Sequence, residues 1–196
     1  MNLQPWIRFY RGRILERLGR TEAAAGAYRD ALAADPRMAR AADALGYLHA
    51  GRKDYAAAER WLSESVRLAP RNAHAWFNLG FVREAQGRHQ EAIEAFSESV
   101  RLNPLFDRAW YGMGMCHATL GRHEEAAKSL GEAATLQPMN GFAWYQLGMA
   151  YHALRQPEKV KEVVEHMFRY DPRMTRRLIQ DARRDDLAFM VKDLVA

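Results

Sequence analysis

Prolines stand at positions 36, 70, 104, 138 and 172, each 34 residues after the last. Glycines at 12, 46, 80, 114 and 148 keep the same step, as do alanines at 24, 58, 92 and 126, with Val160 in the fifth place. Independent series sharing one period define a tandem array: a single supersecondary unit recurs five times, and each copy relies on its neighbours to bury its apolar faces. No insertion interrupts the step, so no long loop is available on which an active site would be built.

Each unit reads as a helical hairpin. In the copy from Asp107 to Asn140, Trp110, Met113, Gly114 and His117 follow the i, i+3, i+4, i+7 spacing of one helix face. Gly121 breaks that helix. Ala126, Ala127, Leu130, Ala133 and Ala134 then form a second stripe, which Pro138 cannot continue. The recurring Gly and Ala are small because two helices cross closely there. The spacing therefore predicts an all-α chain.

The stretch Ala75-Trp76-Phe77-Asn78-Leu79-Gly80, followed by Gly87, Ala92, Phe96 and Pro104, resembles the tetratricopeptide repeat signature. Trp110, Gly114, Gly121, Ala126, Leu130 and Pro138 match it in the next copy, and Trp144, Leu147, Gly148 and Tyr151 in the last. The resemblance implies a right-handed solenoid of hairpins, with repeats at 5–38, 39–72, 73–106, 107–140 and 141–174. Residues 175–196 leave the period. Leu187, Met190, Val191, Leu194 and Val195 form an amphipathic stripe with Asp185 or Asp186 as its N-cap, and Leu178, Ile179 and Ala182 form a shorter one. They are read as a C-terminal capping helix, the alternative being a tail that docks into a groove of this chain or a neighbour's. Arg8 and Arg11 replace the Ala or Trp and the Leu or Met of the other copies, which predicts a wetter outer face for the first repeat. Pro157 at the start of a second helix and Val160 in place of Ala predict a more open fifth hairpin.

Composition excludes several classes of function. At 48% hydrophobic and 27% charged residues the chain has the material for a packed core. No run of 18 apolar residues spans a membrane, and the first residues carry no apolar leader, so a cytoplasmic protein without membrane attachment is expected. Cys116 is the only cysteine, which rules out an intramolecular disulfide and a thiolate metal centre. No histidine pair has the spacing of a helical zinc site. Gly112-x-Gly114 lacks the preceding strand and third glycine of a phosphate loop, and the adjacent Cys116 and His117 point apart on a helix. Neither metal, cofactor nor catalysis is expected.

The net charge of +5 is carried by 24 arginines. These fall at the ends of second helices, as Arg67 and Arg101 do, or at hairpin turns, as Arg20, Arg88 and Arg122 do, with Glu64, Glu94 and Glu98 between them. A cation at a helix C-terminus complements the dipole. Scattered charge of this kind is a solvated face, and nucleic acid is not the expected partner. An RNA-binding helical-repeat protein stays as a weaker alternative.

Function is expected instead on the second stripe of each first helix, which tetratricopeptide arrays use to line a concave groove. In this sequence that stripe comprises Trp6, Phe9, Tyr10 and Arg13 in the first repeat; Arg40, Asp43, Ala44 and Tyr47 in the second; and His74, Phe77, Asn78 and Phe81 in the third. The fourth contributes Arg108, Tyr111 and Met115, and the fifth Phe142, Tyr145, Gln146 and Met149. The stripe varies between copies and is strongly aromatic, as a surface matched to one partner would be. Ala44 and Gly112, small among large neighbours, suggest pockets; Asn78 and Gln146 suit a ligand's backbone amides, and Arg108 a carboxylate. The expected partner is another protein, bound as a peptide or helix, with self-association into a homo-oligomer or scaffold as the rival reading. Chaperone tails are clamped in one subgroup by lysines and asparagines. Asp43, Tyr47 and Gly112 stand where that pattern needs them, so this type of clamp is not expected.

Overall fold

The computed structural model describes residues 3–192, and Leu194 and Val195 of the expected terminal stripe lie outside them. The described residues hold eleven α-helices and one short 3-10 helix, with no strand among them. Ten helices pair as five hairpins: α1 (Gln4–Arg17) with α2 (Thr21–Ala34), α3 (Ala39–Gly51) with α4 (Tyr55–Leu68), α5 (Ala73–Ala85) with α6 (His89–Leu102), α7 (Asp107–Thr119) with α8 (His123–Leu136), and α9 (Gly141–Ala153) with α10 (Pro157–Phe168). α11 (Pro172–Asp181) and a 3-10 helix (Asp185–Val191) follow. The chain divides into two compact units, Met1–Leu102 and Asn103–Ala196.

Each hairpin turns the same way. Gly19, Lys53, Gly87, Gly121 and Arg155, 34 residues apart, all have positive φ, between 55° and 77°. The residue after each returns its N–H to a carbonyl five residues back, as Arg20 does to Leu15 at 2.9 Å and Asp54 to His49 at 3.0 Å. This Schellman arrangement satisfies the last carbonyls of the first helix while reversing the chain. Second helices end before the periodic prolines, and side-chain caps open several of the next first helices. Asn72 accepts from the His74 and Ala75 amides, and Asn140 from those of Phe142 and Ala143.

The hairpins close through the repeat glycine. A Cβ on Gly46 would meet Leu62 at 2.5 Å, one on Gly80 would meet Phe96 at 2.7 Å, and one on Gly114 would meet Leu130 at 2.7 Å. Recurring polar pins fix the register. The Trp76, Trp110 and Trp144 indoles donate to the Pro70, Pro104 and Pro138 carbonyls at 3.0, 2.8 and 3.0 Å, and the Ser99 hydroxyl donates to the Ala73 carbonyl at 2.9 Å.

In the first unit, the second helix of each hairpin covers the first helix of the next. Ala24, Tyr28 and Ala31 of α2 pack on Ala41, Leu45 and Leu48 of α3, and Ala58, Leu62 and Val66 of α4 pack on Ala75, Leu79 and Val82 of α5. In the second unit, Ala127, Leu130 and Ala134 of α8 share a core with Ala143, Leu147 and Ala150 of α9.

Two features depart from the sequence reading. The outer face of the first repeat is wetter only at Arg11, which is exposed where Leu45 and Leu79 are buried. Arg8 folds over to donate to the Asp30 carbonyl at 3.0 Å, and the face carries Leu3, Ile7, Tyr10, Ile14 and Leu18, all exposed. At the other end, Pro172 does more than stop a helix: it opens α11, with Asp171 capping the Met174 amide at 3.0 Å. The terminal element thus begins inside what the period assigns to the fifth repeat. Gly148, whose counterparts meet their own second helix, faces Leu178 of α11, with a Cβ there lying 2.6 Å from it. The segment after α11 is a 3-10 helix, and Asp186 does not cap it: its carboxylate pairs with Arg184 at 2.7 Å.

Candidate functional site

In the first unit, the helix stripe named from sequence brings residues of α1, α3 and α5 onto neighbouring helices. Asn78 Nδ2 donates to Asp43 Oδ1 at 3.2 Å, tying α5 to α3. Burial pushes the Asp43 carboxyl above the usual carboxylate range, while the Asn78 bond and the nearby His74 and Arg13 pull it back. Arg40 lies over the Trp6 ring, 5.9 Å from its centroid, linking α3 to α1. Tyr47 and Phe81 hold the same repeat position on α3 and α5, and they are 59% and 47% exposed. His74 is exposed beside them. Phe77 is half-buried and leans on Phe96, 5.8 Å between ring centroids.

In the second unit, Arg108, Tyr111 and Phe142 line a cleft of about 260 Å³. Asp107, Ala133 and Asn140 complete its lining, none of which the stripe rule selects. Asp107 and Asn140 stand at the beginnings of first helices, so the signal that would have found them is their place at the rim. Met115 and Met149 are half-buried and pack on the core of this unit together with Tyr111, and Gln146 is half-buried.

Two stripe residues are not presented to a partner. Phe9 is 7% exposed because its ring packs on Tyr28 of α2, with centroids 5.6 Å apart. Tyr145 is 9% exposed because α11 lies over it. Its hydroxyl donates to Asp181 at 2.6 Å, and Arg177 stands 5.1 Å from its ring. Burial and the Asp181 carboxylate both raise the Tyr145 phenol above its ordinary value. Ala44 and Gly112 are themselves buried. Arg88, expected to idle at a turn, instead donates to Glu59 at 2.6 Å and pairs with Glu91. The described residues contain no cluster of three metal-ligating side chains and no helix long and apolar enough to cross a membrane.

A tetratricopeptide-repeat family model matches residues 9–73, 62–105 and 82–141, and a second tetratricopeptide-repeat model matches 143–173. The chain belongs to the tetratricopeptide repeat family, whose fold serves generally as a scaffold for protein interaction. No curated protein matches the sequence. Among solved structures, the fold is similar to that of MamA (22% identity, TM-score 0.77, covering 95% of this chain and 98% of that one). It is also similar to YrrB, described as a TPR protein with an unusual peptide-binding site (22% identity, TM-score 0.78, 90% of each chain). A third similar structure is Pseudomonas aeruginosa pilF (19% identity, TM-score 0.75, 95% and 88%).

Proposed function

We propose that this chain acts by binding rather than by catalysis, as an adaptor, assembly factor or chaperone that takes a partner's peptide or helix on the inner stripe of its first helices. The observation that carries the reading is the pairing of Tyr47 with Phe81: two large rings, each about half exposed, at one repeat position on adjacent helices. Neither ring is needed to close the core, and beside them lies the polar Asp43–Asn78 bridge. Rings supply contact area at low entropic cost, and a neighbouring carboxylate and amide orient a backbone. Arg40 and His74 on the same stripe favour a partner segment with acidic and aromatic or aliphatic residues. YrrB, of like fold, is described as having a peptide-binding site, which agrees with this mode of action. In the second unit, the Arg108–Tyr111–Phe142 cleft offers the same mixture of cation and ring.

The test is a random peptide display selected on the purified chain, with the selected peptides measured against variants. Tyr47→Ala and Phe81→Ala should each weaken binding by about 1–3 kcal/mol, with melting unchanged because both rings are exposed. Peptides that bind the double variant as well as the parent would sink the reading.

A further inference from the structure

The outer face of α1 is the one first-helix face in its unit that the described residues leave uncovered. The three residues that the preceding second helix covers in α3 are Ala41, Leu45 and Leu48, and in α5 they are Ala75, Leu79 and Val82, all buried. One period earlier these places hold Ile7, Arg11 and Ile14, of which the isoleucines are 58% and 62% exposed. Leu3 and Tyr10 extend the apolar line, so that Leu3, Ile7, Tyr10 and Ile14 follow a 4-3-4 spacing, the seam of a helix that packs lengthwise on another helix. The seam forms a shallow apolar groove, and four exposed large hydrophobics on one stripe are more than chance scatter.

The charge beside the seam indicates what covers it. At the internal seams, arginines of one hairpin meet glutamates on the preceding second helix. Arg52 pairs with Glu22 of α2, and Arg83 and Arg88 pair with Glu59 of α4 at 3.3 and 2.6 Å. On α1, Arg11 lies within the groove lining and Arg17, six residues on and therefore on the opposite flank of the seam, is also exposed, and among the described residues no carboxylate pairs with either. A second copy fits poorly, because α1 carries Arg8, Arg11, Arg13 and Arg17 against the single acid Glu16, and pairing two α1 helices would set arginine against arginine.

We infer that the outer face of α1 is a docking site for an amphipathic helix of a partner protein. That helix has small and aliphatic residues along its buried line, flanked by glutamates or aspartates that meet Arg11 and Arg17. The seam shares Trp6 and Tyr10 with the inner stripe of α1, but it lies on another helix from Tyr47 and Phe81 and does not depend on them.

Two fluorescent, hydrocarbon-stapled helices test this. Both carry the apolar pattern of α4 (YAAAERWLSESVRL); one has glutamate at all four of its charged positions and the other has lysine. Anisotropy titration of the full chain should show saturable binding of the glutamate helix and binding about tenfold weaker for the lysine helix, the effect of two rim ion pairs turned to repulsions. Ile7→Glu with Ile14→Glu should abolish both. Arg11→Glu with Arg17→Glu should invert the preference, while Tyr47→Ala with Phe81→Ala leaves it intact. Circular dichroism melts check that the variants, all at exposed positions, stay folded. The inference is overturned if the glutamate helix fails to saturate, if the two helices bind alike, or if the isoleucine variant binds as the parent does. A parent dimer in sedimentation that Ile7→Glu dissociates would also overturn it, by giving the face to a second copy.

Discussion

Replacing Gly80 by alanine adds a single methyl group to the middle of α5, where alanine is otherwise the better helix former by about 0.8–1 kcal/mol. The Cβ would lie 2.7 Å from Phe96 Cδ1, 2.8 Å from Cε1 and 3.1 Å from Cγ, where carbon atoms prefer about 3.5–4 Å. The Phe96 ring is fully buried and cannot swing into solvent, so α5 and α6 must separate by roughly 1 Å to accept the methyl. Overpacking of this kind costs about 1–3 kcal/mol, which exceeds the propensity gain, and a net loss of about 1 kcal/mol is expected. Gly131, in the interior of α8, supplies the control. No atom lies within 4 Å of the place its Cβ would take, so Gly131→Ala should keep the whole gain and stabilise the protein by about 0.8–1 kcal/mol.

One chemical change should therefore have opposite signs at two helix-interior glycines. Urea unfolding followed by far-ultraviolet circular dichroism measures both. Phe96→Ala removes the obstructing ring, and in that background Gly80→Ala should turn favourable, giving a coupling that a double-mutant cycle resolves. If Gly80→Ala is as stable as the parent, or its cost persists without the ring, then the close approach to Phe96 is not why glycine is there.

Two further outcomes follow from the polar and terminal contacts. Because burial raises the Asp43 carboxyl, the folded chain holds that proton more tightly than the unfolded one, and its ionisation destabilises the fold at neutral pH. Asn78→Ala removes the bond that opposes the shift, so its cost of about 1–2 kcal/mol at pH 7 should shrink as pH falls through the raised value toward 3.8; a pH-independent cost in paired unfolding curves would refute this. Leu178→Ala empties the contact with Gly148 and should cost about 2–5 kcal/mol, as for a fully buried leucine. A cost within the range of a surface substitution, measured by the same unfolding assay, would show that α11 does not cover α9.

The architecture was legible because the period imposes it: one hairpin understood gives the others. Its turns were legible only in part. Gly19, Gly87 and Gly121 announce the left-handed turn residue, but Lys53 and Arg155 adopt the same backbone without that signal, held there by the helices on either side. Helical spacing groups residues with Tyr47 and Phe81 on one stripe, yet spacing carries no measure of depth. Phe9 and Tyr145 occupy the stripe and are nevertheless buried, Phe9 by the Tyr28 ring and Tyr145 by Asp181, 36 residues later, in a segment outside the period. The Asp43–Asn78 bond joins residues 35 apart, a separation the period itself brings together, so it could have been read as an internal contact rather than a free amide. Arg88 reaches Glu59 across 29 residues, a contact no local pattern signals.

The two ends of the repeat series solve the same physical problem differently. A helical hairpin cannot bury its apolar faces alone, so a terminal hairpin must be covered or must carry polar residues where its neighbours carry apolar ones. The last hairpin is covered from within the chain: Leu178 and Ile179 of α11, with Leu187 and Val191 beyond them, complete the core around α9 and α10. Among the described residues the first hairpin follows the second course only in part, with Arg11 exposed in the place of Leu45 and Leu79. Its two substitutions toward arginine leave Leu3, Ile7, Tyr10 and Ile14 in place, although lysine or glutamate at these exposed helix positions would cost the fold nothing. Isoleucine is also a weaker helix former than either, so local stability gives no reason to keep it at 7 and 14. An exposed apolar seam carries an aggregation hazard, which Arg11 and Arg17 moderate by keeping like faces apart. A seam that repels its own copy while offering a partner both an apolar line and unpaired cations is what a docking face requires, and solvent exposure alone requires none of it.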